Sequence, residues 1–237
     1  MIGFREFEAI TFDCYGTLID WETGILNALR PIMRAHGVSA TEGDLLKAYA
    51  EHEAIEEAGE FKSYRDVLGG VVAGVGMRYG FDPSMDERDA LVDSIDGWPV
   101  FSDTVEALRV LSWRYRLGII SNVDDDIFAA TAQAFEVDFD MVLTSEQARS
   151  YKPSSTSFAL ALTRLGLPKD KMLHVAESVR HDIVPAKAME ISCVWVNRVK
   201  ASGRAAGASG ATSETSSGAD IEVPDLRTLV KTMGLSG

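Results

Sequence analysis

Asp13 is the residue of this sequence best placed to act as a nucleophile. It follows the apolar residues 9–12, and Gly16, a residue typical of turns, comes shortly after it. In an open α/β sheet the carboxyl ends of the strands border the ligand crevice, and a carboxylate there can attack a substrate covalently. An isolated aspartate after a strand is equally often a turn or capping residue. The interpretation of Asp13 as a nucleophile therefore depends on its polar neighbours.

Three later segments place polar side chains where the same crevice would lie. Two of them follow apolar runs, and the third lies in a loop before a proline. Their polar residues are Ser121, Asn122, Lys152, Glu177, Ser178 and Asp182. An isolated Ser-Asn pair is usually a turn and an isolated lysine usually lies on the surface, but parallel strands end at one edge of their sheet. The order and position of these residues together predict that they gather around Asp13.

Short apolar runs alternate with helical segments along most of the chain. The runs are residues 9–12, 117–120, 141–143, 172–176 and 193–196. Such alternation predicts a parallel sheet covered on both faces, so the fold class is α/β, with a Rossmann-like doubly wound core. We expect residues 1–20 and 99–237 to form this core. It should end in an edge strand at residues 221–223 and a helix at residues 225–233, which Asp225 caps.

Residues 21–98 differ from the rest because they show helical periodicity and contain no convincing strand. An insertion that leaves the end of the first strand lies over the ligand crevice. We therefore expect an all-helical cap that acts as a lid. Phe61, Tyr64 and Trp98 are candidates either for an apolar wall of the substrate site or for core residues that join the cap helices.

The composition limits the partners and the location of the protein. The 237 residues carry a formal net charge of −13 without a run of Lys and Arg, so we expect no nucleic acid partner. No segment approaches the roughly 18 apolar residues of a membrane helix, and residues 1–12 do not resemble a signal peptide. With two cysteines, too few for a disulfide framework, a soluble cytoplasmic protein is expected. The small, polar residues 201–219 are expected to form a flexible surface loop.

The polar segments resemble, in sequence and in order, the four motifs of the haloacid dehalogenase (HAD) superfamily. They are DCYGTL at 13–18, SN at 121–122, YKP at 151–153 and VAESVRHD at 175–182. The resemblance covers essentially the whole chain and implies a hydrolase with a covalent aspartyl intermediate. Phosphatases of this family usually carry a second aspartate, a general acid, two residues after the nucleophile, whereas this chain carries Tyr15. The pattern DxYGTL is similar instead to that of the 2-haloacid dehalogenases.

The resemblance implies a role for each matching residue. Asp13 would displace halide from the α-carbon of a small anionic 2-halocarboxylate, and water would hydrolyse the resulting ester. Thr17, Lys152 and Asp182 would assist, with Lys152 keeping Asp13 ionised and Asp182 positioning or activating water. The residues expected to contact the substrate are Tyr15, Ser121, Asn122 and Ser178. This chemistry needs neither a cofactor nor a metal, and the resemblance is compatible with a homodimer.

Two features depart from the dehalogenase pattern. The cap arginine that dehalogenases use in halide binding has no clear counterpart, and Lys47 and Arg65 are the alternatives for it. Glu177 and Asp182 are spaced like the acidic pair that binds magnesium in phosphatases of the family. Magnesium, held by these two residues and Asp13, would define an alternative function as a small-molecule phosphatase. In a dehalogenase, Glu177 would instead orient the hydrolytic water or pair with the motif lysine.

Overall fold

Six parallel strands form the sheet of the computed structural model, which describes residues 3–198 and 218–235. The strands are β1 (Ala9–Phe12), β2 (Arg116–Ser121), β3 (Met141–Thr144), β4 (Met172–Ala176), β5 (Ser192–Val196) and β6 (Ile221–Val223). Their order across the sheet is β3-β2-β1-β4-β5-β6. Each apolar run that predicted a strand forms one, and the α/β fold class is confirmed. Residues 201–217 of the predicted surface loop lie outside the described residues.

The described regular elements between β1 and residue 98 are helical. The cap helices are α1 (Trp21–Ala35), α2 (Glu42–Glu56), α3 (Tyr64–Tyr79) and α4 (Met85–Ser94), and a 3₁₀ turn follows at Ile95–Gly97. The side chain before each of these helices accepts a hydrogen bond from a backbone N–H of the first turn. These capping residues are Asp20, Thr41, Ser63 and Ser84, in chain order. The helical insertion predicted over the end of β1 is thus present, while its boundaries at residues 21 and 98 stay a prediction.

The helices of the core lie between successive strands and after the last one. They are α5 (Thr104–Ser112), α6 (Asp125–Ala132), α7 (Ser145–Ala148), α8 (Thr156–Leu165), α9 (Val184–Ala188) and α10 (Leu226–Thr232). A turn of π-helix, Val179–Ile183, leads into α9. Asp225 caps α10 as predicted, because its side chain accepts from Thr228 N. Among the described residues, no helix is long and apolar enough to cross a membrane.

The two faces of the sheet bury separate apolar clusters. Successive strand residues point to opposite faces, so Ile10 and Phe12 of β1 belong to one cluster while Ala9 belongs to the other. The first cluster includes residues of α5, α6 and α10, and the second includes residues of α8 and α9. Helices on both faces make the sheet doubly wound. Its carboxyl edge is left to carry polar groups.

Asp124 ties the cap to the core. Its carboxylate accepts from the backbone N–H groups of Tyr64, at 2.9 Å, and Arg65, at 3.0 Å, at the start of α3. The first N–H groups of a helix lack partners within it and attract a negative charge. From the sequence, Asp124 is expected to cap the helix that follows it. It does occupy the position before α6, but its side chain makes no bond there and stabilises a cap helix instead.

Candidate active site

Asp13 lies at the carboxyl end of β1, an interior strand of the sheet. Its backbone N–H donates to Val175 O at 3.1 Å, and only 7% of the residue is exposed. Gly16, with a φ of +99°, turns the chain back in a conformation that favours glycine. After this turn Thr17 Oγ1 donates to Asp13 Oδ2 at 2.8 Å. The carboxylate is thus held in one orientation.

Lys152 joins Asp13 to a second carboxylate. It is almost completely buried, and its Nζ donates to Asp13 Oδ1 at 2.8 Å, to Asp182 Oδ1 at 2.7 Å and to Ile120 O at 2.9 Å. These bonds use all three donors of the ammonium group. The Asn122 side chain accepts from Lys152 N at 2.8 Å and donates to Lys152 O at 3.1 Å. Asn122 therefore positions the lysine that touches Asp13.

A buried histidine that the motifs did not reveal completes the network. Asp182 Oδ1, besides accepting from Lys152, lies 3.0 Å from His174 Nε2, and His174 Nδ1 lies 2.9 Å from Thr11 Oγ1. We call Asp13, Lys152, Asp182 and His174 the floor network. Asp182 Oδ2 has no hydrogen-bond partner among the described residues. The available sequence signal was a polar histidine inside the apolar run of β4.

Burial and charge pairing act in opposite directions on these groups. Burial raises the pKa of Asp13 more than Lys152 lowers it. Burial lowers the pKa of Lys152, but Asp13 and Asp182 outweigh that effect, so the pKa lies above its ordinary value and the ammonium stays charged. For Asp182, the Lys152 charge and the bond to His174 outweigh burial and hold the pKa below its ordinary value. The floor network thus contains a charged lysine between two carboxyl groups.

A cavity of about 470 Å³ lies between the floor network and the cap. Its lining includes the predicted site residues Asp13, Tyr15, Ser121, Asn122, Lys152, Glu177, Ser178 and Asp182, and the aromatic residues Phe61, Tyr64 and Trp98. Thr17 is fully buried and does not line the cavity. Ser121 Oγ is buried and has no partner among the described residues. Since buried hydroxyl groups are normally hydrogen-bonded, Ser121 is suited to bind a ligand.

Two lining residues already use their hydroxyl groups within the protein. Tyr15 Oη is 2.8 Å from Thr131 Oγ1, and its ring packs edge-on against Trp98 with the centroids 5.9 Å apart. Burial raises the pKa of Tyr15 well above its ordinary value, so this residue is a neutral phenol and no replacement for a carboxylic acid. Ser178 Oγ accepts from His181 N at 3.2 Å and caps the π-helical turn.

The cations that line the cavity are not those expected from the cap. The Lys47 side chain is 60% exposed and pairs with Glu51, and Arg65 is 49% exposed and pairs with Asp126. Neither lines the cavity, so the structure gives no support for their predicted role in substrate binding. Besides Lys152, the lining cations are Arg149 and Arg180. Arg149 lies just before the YKP segment and Arg180 lies within VAESVRHD, so a search for cations confined to the cap could not find them.

Two cap glutamates are site residues that sequence reasoning missed. Glu53 accepts from the hydroxyl groups of Tyr49, at 2.8 Å, and Tyr64, at 2.6 Å. Glu57 lies beside it, and burial together with the charge of Glu53 raises the pKa of Glu57 to about 9. Glu57 is therefore protonated at neutral pH. We call Tyr49, Glu53, Glu57 and Tyr64 the cap wall. The spacing of four between residues 49, 53 and 57 placed them on one helix face and was the available signal.

The carboxyl groups predicted as alternative magnesium ligands do not form a ligand set. Within residues 3–198 and 218–235, no three His, Cys, Asp or Glu side chains are grouped as a metal ion would need. The Lys152 ammonium bridges Asp13 and Asp182, where its charge opposes that of a cation. Burial and the charge of Asp13 raise the pKa of Glu177 to about 8, so it is protonated at neutral pH. Asp13, Glu177 and Asp182 as arranged therefore do not fit magnesium.

The fold and the site define a class: a doubly wound α/β protein whose nucleophile candidate, a strand-end aspartate, is covered by a helical insertion. The chain belongs to the haloacid dehalogenase-like hydrolases, whose family model matches residues 7–190.

Relatives with two kinds of activity resemble the chain at low identity. An (S)-2-haloacid dehalogenase of Pseudomonas putida is 23% identical over 203 residues, covering 82% of this chain and 86% of the relative. A phosphoglycolate phosphatase of Photorhabdus laumondii is 24% identical over 193 residues, covering 80% of each. The L-2-haloacid dehalogenase of Xanthobacter autotrophicus has the same fold, with a TM-score of 0.78 at 21% identity over 96% of this chain and 98% of that one. The family model establishes a hydrolase of this family, and these low-identity likenesses leave its substrate open.

Proposed function

We propose that this hydrolase acts as a 2-haloacid dehalogenase, with Asp13 displacing halide from the α-carbon of a small 2-halocarboxylate. The observation that carries the proposal is the Lys152 ammonium bonded to both Asp13 and Asp182 at the bottom of the cavity. Its charge lowers the pKa of Asp13, which opposes the effect of burial and favours the ionised nucleophile. Tyr15, where phosphatases of the family usually have an acid, supports attack on carbon rather than on phosphorus.

In the first step, an Asp13 carboxylate oxygen attacks the α-carbon in line with the carbon–halogen bond. The carbon–oxygen bond forms as the carbon–halogen bond breaks, and halide leaves with the bonding electron pair. The α-carbon is inverted, and Asp13 becomes an ester. The leaving group needs no proton, since halide is a stable anion. A general acid is therefore not required at position 15, where this chain carries Tyr15.

In the second step, water attacks the carbonyl carbon of the Asp13 ester. Asp182, whose Oδ2 is buried without a partner in the described part of the chain, accepts the proton of this water. The bond between the carbonyl carbon and the ester oxygen breaks, the departing oxygen takes the proton back from Asp182, and a 2-hydroxycarboxylate is released. Asp13 is regenerated as a carboxylate with one oxygen from water, and the second proton of that water passes to solvent. Thr17, which donates to Asp13, holds the carboxyl group for both steps.

The cavity offers suitable donors to an anionic substrate. Ser121 has an unused hydroxyl group, and Arg149 and Arg180 supply positive charge to the lining. Glu57 is protonated at neutral pH, so it does not repel a substrate carboxylate and can donate a hydrogen bond to it. The volume of about 470 Å³ suits a small molecule.

The test is halide release by the purified protein from each enantiomer of 2-chloropropionate, with magnesium or with a chelator. We expect chelator-resistant release from one enantiomer and a loss of at least about 10⁴-fold in Asp13→Asn. Halide release retained by that variant would contradict the covalent role of Asp13.

The alternative function is hydrolysis of a small phosphate ester, favoured by the phosphoglycolate phosphatase relative. An aryl phosphate assayed in parallel tests it. Phosphate release that depends on magnesium, without halide release from either enantiomer, would replace the dehalogenase proposal.

A further inference from the structure

His174 is a fully buried polar residue in the middle of an apolar strand, and the chemistry proposed above does not use it. It lies on β4 next to Thr11 of β1, and the ring of Phe158 packs edge-on against it with the centroids 5.0 Å apart. An apolar side chain would suit this environment without the cost of burying polar atoms. The two ring nitrogens must therefore be accounted for.

The hydrogen bonds of His174 are satisfied by one tautomer. With the proton on Nε2, the ring donates to Asp182 Oδ1 at 3.0 Å, and Nδ1 accepts from the Thr11 hydroxyl at 2.9 Å. The opposite tautomer would turn a ring lone pair toward the Asp182 carboxylate. The Asp182 carboxylate, which can only accept, thus selects the tautomer of His174 that donates to it, and the Thr11 hydroxyl complements this tautomer by donating to Nδ1.

This bond determines which Asp182 oxygen stays available. Oδ1 accepts from both Lys152 and His174, whereas Oδ2 has no partner among the described residues. Without His174, the carboxylate would be held at Oδ1 by Lys152 alone and could rotate about its terminal torsion, which is soft. Two donors at fixed positions prevent this rotation.

We propose that His174 is a positioning residue that fixes Asp182 so that its free oxygen receives the hydrolytic water. The inference rests on the proposed function, because it assigns His174 to the second step, ester hydrolysis, and not to the attack of Asp13. The contact that defines this role is the His174 Nε2 to Asp182 Oδ1 bond, while Thr11 acts one bond further away.

Rapid-mixing kinetics with 2-chloropropionate separates the two steps. In His174→Phe, which keeps the ring but loses the donor, we expect an initial release of halide equal to the enzyme concentration. Steady turnover should then be about 10- to 100-fold slower than in the natural protein, with the Asp13 ester accumulating in the intact mass spectrum. His174→Gln, whose side-chain amide can donate from the place of Nε2, should restore turnover. Phe158→Leu is the control, since it alters the packing around the ring without touching Asp182.

The outcomes separate the inference from the proposed function. Equal slowing of both steps in His174→Phe, or accumulation of the ester in Phe158→Leu, would overturn the positioning role. Failure of a folded His174→Gln to restore turnover would overturn it as well. If the natural protein releases no halide, the proposed function fails, and nitrogen-15 NMR then decides on the network itself. A His174 proton on Nε2, with a resonance that shifts in Asp182→Asn, supports the network, and a proton on Nδ1 alone contradicts it.

Discussion

The floor network and the cap wall face each other across one cavity, and both contain carboxyl groups, but they hold them in different ways. In the floor network Lys152 bonds to both Asp13 and Asp182, and His174 bonds to Asp182. In the cap wall Glu53 is held by two phenols and Glu57 is neutralised by a proton. The floor therefore pairs its carboxyl groups with a charged lysine, whereas the wall holds one of its two carboxyl groups neutral. We infer that the floor network carries out the reaction and that the cap wall determines which substrate can approach it.

Removing the lysine should have the largest effect on this contrast. Lys152→Met leaves two buried carboxyl groups without their cation, and we expect it to lower the free energy of unfolding by about 3–5 kcal/mol and to abolish turnover. Urea unfolding monitored by circular dichroism measures the first effect. The matched control is Lys47→Met on the cap, an exposed residue whose ion pair should contribute less than about 1 kcal/mol. An equal decrease in the free energy of unfolding in the two variants would show that the buried Lys152 stabilises the protein no more than the exposed Lys47 does.

Cutting the link between the two regions should have an intermediate effect. Asp124→Ala removes the acceptor for the N–H groups of Tyr64 and Arg65, and we expect it to destabilise the protein by about 1–3 kcal/mol. Hydrogen exchange at these two amides should accelerate, because the start of α3 loses its partner in the core. Asp126→Ala serves as control, because it removes the exposed pair with the Arg65 side chain and the bond from Ile127 N but leaves the two amides bonded to Asp124. Unchanged exchange in Asp124→Ala would contradict the tie between cap and core.

The smallest expected effect concerns the proton on the cap wall. Glu57 has a pKa raised to about 9, so it is neutral below that pH and becomes an anion as the pH rises through it. The KM for an anionic 2-haloacid should then increase by about three- to tenfold above pH 9, while Glu57→Gln shows no such increase. Turnover of the uncharged 2-chloropropionamide controls for other changes at high pH. A KM that rises equally in Glu57→Gln would mean that another group causes it.

The floor was easier to predict from the sequence than the cap wall, for a physical reason. Strand ends of a parallel sheet converge on one edge, so Asp13 and Ser121 could be grouped from the apolar runs that precede them. Lys152 lies in a loop before a proline, and its place in the order of the polar segments grouped it with them. His174 was missed because its role depends on Asp182 in the π-helical turn that follows β4, and β4 reads as an ordinary buried strand around His174. The path of that turn decides the contact, and it is not visible in the sequence of the strand alone.

Helix faces are harder to orient toward a site. The apolar spacing of α2 and α3 predicted helices, and residues such as Leu45, Leu46 and Tyr49 are buried as that spacing requires. It did not reveal which polar residues turn toward the cavity, so Lys47 was considered and Glu53 was not. The Asp124 side chain was likewise assigned to its own helix, because a contact with residues 60 positions earlier leaves no local pattern.

The central claim is that Asp13 forms a covalent ester with the substrate, and a single turnover in heavy-oxygen water tests it most directly. With enzyme in excess over 2-chloropropionate, the account predicts that the hydroxyl oxygen of the product comes from Asp13 and is unlabelled. The heavy oxygen should then appear in the Asp13 carboxylate, detected in the peptide that contains it. Heavy oxygen in the product hydroxyl after one turnover, with an unlabelled Asp13, would mean that water attacks the substrate directly and would contradict the account.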